Sequence, residues 1–229
     1  MKAGILQPHA SPALEPEYFE VEAGHRSGSI LEALRHAVSN VLVAMLFFSA
    51  LAPHASRYGN GIADDIWLLG AVVMGVLSLV RVPPKSVMLD WQALVSNAGA
   101  LVTPALIRSG IPAAGVLVAA GIAFEIIGIV LSQMARVYMG RRFGILPANR
   151  GIVSKGPFAL IRHPIYLGWF LLSMGLALAY PSARNFACVA LAVPFMAWRI
   201  VLEERVLMED REYRTYCKKV RWRLFPGIV

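Results

Sequence analysis

A chain of 229 residues that is 57% hydrophobic and only 16% charged departs from the roughly 45–50% apolar, 25% charged balance of soluble domains; an ordinary water-soluble fold is excluded. The formal net charge of +8 does not imply nucleic-acid binding, because Lys and Arg fall in the connectors between apolar runs rather than along one polar face. Two cysteines, Cys188 in an apolar run and Cys217 near the C-terminus, offer neither metal-ligand spacing nor a disulfide framework.

The first thirty residues carry Pro8, Pro12 and Pro16 with Glu15, Glu17, Glu20 and Glu22. They lack the basic stretch and short apolar core of a signal peptide, so residues 1–30 read as a polar N-terminal arm. Apolar runs then predict transmembrane helices at Leu34 to Leu51, Ile66 to Val80, Trp91 to Ile107, Ala113 to Ala135, Ile165 to Tyr180 and Asn185 to Leu202, near the length a bilayer core demands. The third contains Asn97, Gly99 and Pro104 and is expected to be kinked or packed inside the bundle. The fold class expected is all-α, a polytopic bundle of about six spans, with residues 31–135 forming the N-terminal set.

Six spans place both termini on one side. The other side then holds only Arg57, Arg108 and Arg184, and every remaining Lys and Arg falls with the termini. By the positive-inside rule the richer side is cytoplasmic, in the inner membrane of a bacterium or the endoplasmic reticulum of a eukaryote. Beyond the last span, Val206, Leu207, Tyr213, Tyr216 and Val220 recur at helical spacing among basic residues, which predicts an amphipathic cytoplasmic helix over Glu203 to Val220 lying at the interface. Trp67, Trp91, Trp169, Tyr138 and Tyr180 near span ends suit an aromatic belt, although Trp169 equally suits a pocket. Gly115, Gly121 and Gly128 give span four a small-residue face that permits a homodimer.

Two constellations carry chemistry, both on the basic side. One is Gly156 to Gly168, with Arg162, His163, Pro164 and Tyr166; the other is Glu203-Glu204. A short connector, Pro181 to Arg184, makes the last two spans a hairpin, so the two constellations should lie at one depth. Pro164 suits the first turn of a helix, whose outward N–H groups, flanked by Arg162 and His163, would bind an anion. A carboxylate pair opposite would hold a cation, and together they suit a zwitterion. The plainer reading is that the basic pair anchors topology while the glutamates pair with Arg199 or Arg205.

The Gly156-Pro157-Phe158 through Arg162-His163-Pro164-Ile165-Tyr166-Leu167-Gly168 segment, followed after one hairpin by Glu203-Glu204, resembles the signature of the isoprenylcysteine carboxyl methyltransferase family, which includes related phospholipid methyltransferases. Leu207, Tyr213, Tyr216, Val220, Arg221 and Pro226 resemble its closing pattern, so the likeness runs from about Gly140 to Gly227. Asp210, Arg211 and Glu212 stand where members often carry Phe-Gly. The resemblance implies an S-adenosyl-L-methionine-dependent enzyme whose cofactor region is residues 136–229. Its acceptor would be a lipophilic molecule, a lipidated carboxylate or a lipid amine entering from the membrane lipids. By that analogy Arg162, His163 and Pro164 serve the cofactor carboxylate and Glu203 and Glu204 its ammonium or ribose. Tyr166 shapes the pocket, Gly168 permits close approach, and Glu204 and His163 are the catalytic candidates.

Glu125, inside span four, is costly there and is a further catalytic candidate unless it is protonated and hydrogen-bonded to a neighbour. His36, Asn40, Asn97 and Gln133 read as interhelical hydrogen-bonding groups. Two rival functions are a membrane sterol or enone reductase using NADPH and a non-catalytic scaffold. Reductases follow a similar Arg-His-Pro segment with Asn-Tyr, where this chain has Ile165-Tyr166.

Overall fold

Runs of Leu, Ile, Val and Ala can satisfy their backbone groups without water only as helices, and the computed structural model of the protein is mostly helical. It describes residues 18–20, 30–49, 72–73, 75–108 and 111–227. The helices are α1 (Ile30–Ser49), α2 (Trp91–Ala105), α3 (Val116–Met139), α4 (Pro164–Ala179), α5 (Ala183–Leu207) and α6 (Arg211–Lys219). Short 3-10 turns span Gly140–Arg142 and Gly156–Ala159.

Helices α1 to α5 fall on the first, third, fourth, fifth and sixth expected spans. Of the second, Ile66 to Val80, residues 66–71 and 74 lie outside the described residues and 72–73 and 75–79 are helical; Arg57, Trp67 and nearly all of the arm at 1–30 also lie outside them. Among the described residues two segments are long and apolar enough to cross a bilayer unaided, Val116–Arg142 and Ala183–Leu207, so the expectation of six spans is met only in part. At 16 and 15 residues, α4 and α2 reach about 24 and 22 Å, short of a hydrocarbon core of about 30 Å. Large apolar side chains point outward, among them Ile127, Val137 and Leu191, as in a bundle solvated by lipid.

Small residues set the closest helix contact. A Cβ on Gly168 of α4 would stand 2.6 Å from the Gly128 carbonyl oxygen of α3, and one on Gly128 would stand 2.5 Å from that of Gly168. Gly121 and Gly175 repeat the arrangement two turns along. The small-residue face expected to serve a homodimer is therefore largely used inside the chain: Gly121 and Gly128 face α4. Helix α2 packs along α5, where Gly99 meets the Phe195 ring.

The α4–α5 hairpin is fixed at its turn. Ser182 caps α5 by accepting from the Asn185 N–H at 3.1 Å, and the buried Asn185 amide donates to the carbonyls of Tyr180 and Arg108. At the opposite, basic end a small antiparallel sheet joins a segment of the N-terminal arm, β1 (Tyr18–Glu20), to two connectors, β2 (Ser86–Met88) and β3 (Ala148–Asn149). Register pairs Phe19 with Val87 and Val87 with Ala148. Met88 then seals the end of the α2–α5 pair, fully buried against Ala93, Leu202 and Val206.

The helix expected over Glu203 to Val220 is broken in two. α5 ends at Leu207 and α6 starts at Arg211, with the Asp210 carboxylate accepting from the Glu212 N–H at 2.9 Å as an N-cap. Its apolar face is not at the bilayer surface. Tyr213, Tyr216 and Val220 bury it inside the protein against Ile152, Leu207 and Cys217.

Candidate functional site

Pro164 opens α4 and Glu203 and Glu204 sit near the end of α5, so the antiparallel hairpin brings the two constellations together. Glu204 is 4% exposed. Its Oε1 forms an ion pair with Arg162 Nη1 at 3.0 Å and accepts from His163 Nε2 at 3.1 Å and from the more distant Tyr213 hydroxyl at 3.4 Å. Its Oε2 accepts from Arg223 Nε at 2.8 Å. An ionised carboxylate only accepts, so His163 is the donor and its Nε2 carries a proton.

Glu203 faces elsewhere. Its Oε2 accepts from the Tyr166 hydroxyl, and its Oε1 takes no hydrogen bond among the described residues. The Tyr166 ring lies 5.6 Å from that of His163 and carries the Arg199 guanidinium over its other neighbourhood at 5.2 Å. Arg199 does not pair with either glutamate, but donates to the Ile145 carbonyl. Trp169 faces Arg136, whose guanidinium lies 5.6 Å from its ring.

The C-terminal strand of chain closes over this cluster. The N–H groups of Arg162 and His163 donate to the carbonyls of Trp222 and Arg223, each at 2.9 Å, and Phe225 meets Phe170 of α4 edge to face. This corrects the expectation of outward-pointing N–H groups flanking the helix start: two of the amides beside it are bound by the tail. Below, Tyr216 donates to the Phe158 carbonyl at 2.6 Å. Burial raises the Tyr213 and Tyr216 phenols above their ordinary range, so both remain protonated donors.

Of the expected site residues, Arg162, His163, Pro164, Tyr166, Glu203 and Glu204 are thus one cluster. Gly168 adjoins them but turns toward α3. Glu125 does not join: it lies against Gly175 in the α3–α4 seam, roughly 18 Å along α4 from His163. The residues that sequence reasoning missed are Tyr213 and Arg223, which complete the Glu204 shell. In the sequence Tyr213 stands out by its helical spacing and by the closing pattern it shares with the family, neither of which assigns it a partner, and Arg223 is one of many tail cations.

A helical bundle with outward-facing apolar side chains and a buried ionic cluster at the basic end of its last hairpin suits a membrane protein. Residues 111–214, which run from just before α3 into α6, match the model of the phospholipid methyltransferase family. The match holds all of α4 and α5 and agrees with the resemblance to methyltransferases rather than to reductases. No curated protein matches the chain.

Proposed function

We propose that this protein is an integral membrane methyltransferase that uses S-adenosyl-L-methionine to methylate a lipophilic acceptor, with its basic end and both termini in the cytoplasm. The observation that carries the reading is the meeting of Arg162, His163 and Tyr166 with Glu203 and Glu204 within hydrogen-bonding distance, inside the segment that matches a methyltransferase family.

The residues fit such a cofactor. Glu203 is a partly buried carboxylate with one oxygen unused, suited to an ammonium, while Tyr166 holds its other oxygen in place. When bound, the cofactor supplies a methyl group already activated by a positively charged sulfur, so neither a metal nor a covalent nucleophile is required. The protein's part is orientation and exclusion of water. Arg162, His163 and Arg223 fix Glu204, and through it the tail is fastened over the start of α4. A carboxylate acceptor attacks without further help, whereas an ammonium must first lose a proton.

Membranes holding the protein, incubated with methyl-labelled S-adenosylmethionine and extracted, should show label in a lipid or a lipid-modified acceptor. Label at background in lipid, protein and volatile fractions, with no thermal stabilisation of the purified protein by S-adenosylhomocysteine, would overturn the reading.

A further inference from the structure

From Tyr213 to Val229 the sequence carries Arg214, Lys218, Lys219, Arg221 and Arg223 and no acidic residue. Two of these cations are occupied. Arg223 holds Glu204, and Arg214 donates to the carbonyls of Met208 and Glu209. Lys218, Lys219 and Arg221 are exposed and form no ion pair among the described residues. Because α6 buries Tyr213 and Tyr216 inside the protein, its last turn presents the two lysines to the outside.

An apolar hollow adjoins these cations. Ala159 and Leu160, just ahead of α4, face Val220, Trp222 and Pro226 of the tail across a cavity of about 360 Å³, and Lys219 and Arg221 complete its lining. Leu160 is 71% exposed, and Phe225, next to Pro226 in the chain, is 38% exposed. Apolar surface therefore continues out of the cavity, beside the free charges.

Depth decides what this surface meets. The Phe225 ring packs on Phe170, about 9 Å into α4 from Pro164, so the tail reaches alongside the apolar span. At about 24 Å, α4 is shorter than a hydrocarbon core of about 30 Å, which draws the segment ahead of it to the membrane boundary. Apolar side chains at that level with cations beside them form a surface suited to lipid headgroups.

We propose that this cavity binds an anionic phospholipid of the surrounding leaflet, with Lys219 and Arg221 on the headgroup and an acyl chain along Leu160, Trp222 and Pro226. A zwitterionic lipid offers the chain but offsets its own phosphate charge, and a soluble anion offers charge without the chain. Only an anionic lipid uses both halves of the site. Neither lining cation pairs with Glu203 or Glu204, and the site does not rest on the methyltransferase reading.

The test follows thermal unfolding of the full chain in a nonionic detergent with dihexanoylphosphatidylglycerol, dihexanoylphosphatidylcholine, inorganic phosphate or a poly-glutamate peptide added. The phosphatidylglycerol should raise the unfolding temperature at concentrations where the other three do not, and added salt should weaken its effect. The double variant Lys219→Gln, Arg221→Gln should need about tenfold or more of that lipid for the same rise, the scale on which two surface cations act on an anionic headgroup. Leu160→Ser should weaken the response through the apolar half. All three side chains are exposed, so folding is not at stake. Arg205→Gln, which removes an exposed cation that does not line the cavity, should respond as the wild type does. Equal stabilisation by both lipids, or none by either, overturns the proposal. So does phosphate or the peptide matching the phosphatidylglycerol, which would make the site one for a soluble anion. It is also overturned if the double variant responds as the wild type does, or if Arg205→Gln weakens the response as much.

Discussion

Glu203 and Glu204 are consecutive on α5 and so point about 100° apart around its axis, which gives them different neighbours and different work. Glu204 is closed in by Arg162, His163, Tyr213 and Arg223, and Arg162 itself is 8% exposed. Glu204→Gln should therefore cost stability, about 3–5 kcal/mol, because a buried guanidinium loses its counter-charge; thermal unfolding in detergent reads the loss. Glu203→Gln keeps an acceptor for the Tyr166 hydroxyl and should melt near the wild-type temperature while losing S-adenosylhomocysteine affinity. If Glu203→Gln were the less stable of the two and Glu204→Gln melted normally, the division of labour would be reversed. The sequence could bring the acidic pair to the basic turn through hairpin geometry. It could not tell the two glutamates apart, since that depends on Tyr213 and Arg223, which lie beyond the break in the helix and are ordinary residues in their local context.

At the scale of the element, helical periodicity was a sound guide to α1 through α5 because lipid-facing helices are long apolar runs with little competing signal. It failed across Met208 to Asp210. Val206, Leu207, Tyr213, Tyr216 and Val220 preserve helical spacing through the break, so the pattern alone extends one helix too far. The signal that marks the break is Asp210 followed by Glu212, an N-cap and an acidic first turn. Asp210 also takes Asn149 at 2.9 Å and Lys85 at 3.3 Å, binding the sheet to the start of α6. The Asn149 amide chiefly, with the Glu212 N–H and Lys85, holds its carboxyl below the ordinary 3.8. A lowered native value means that the contribution is complete above about pH 4 and disappears as pH falls through that lower value. Asp210→Ala should cost about 1 kcal/mol at neutral pH. Asp210→Asn keeps a capping oxygen but cannot titrate, so the difference in melting temperature between it and the wild type should shrink on acidification. A difference constant from pH 6 to pH 3 would contradict the assignment.

Across the whole molecule the last residues do more than trail from the bundle. The chain leaves α6 at Lys219, returns beneath the α4–α5 hairpin, and presents the carbonyls of Trp222 and Arg223 to the amides of Arg162 and His163. No reading of side chains finds that contact, because backbone carbonyls leave no mark in a sequence; the resemblance to the family's closing pattern pointed to the region but not to the bonds. Three kinds of interaction hold it: three hydrogen bonds, two between backbone groups and one from Arg162 Nη2 to the Arg221 carbonyl at 3.0 Å, the Arg223–Glu204 ion pair and the Phe225–Phe170 contact. Deleting residues 221–229 removes all three, yet leaves α3, α4 and α5 with their own packing, since the Gly128–Gly168 seam lies elsewhere. The truncated chain should insert into membranes with wild-type helix content by circular dichroism and lose S-adenosylhomocysteine binding. Arg223→Ala, which keeps the backbone ties, should fall between the two. Its side chain is 43% exposed, so solvent replaces part of what Glu204 loses and the ion pair is worth less than its Arg162 counterpart. Full cofactor affinity in the truncated chain would show that the closure over His163 and Glu204 is structural, and would leave Glu203 and Tyr166 as the binding elements of the hairpin.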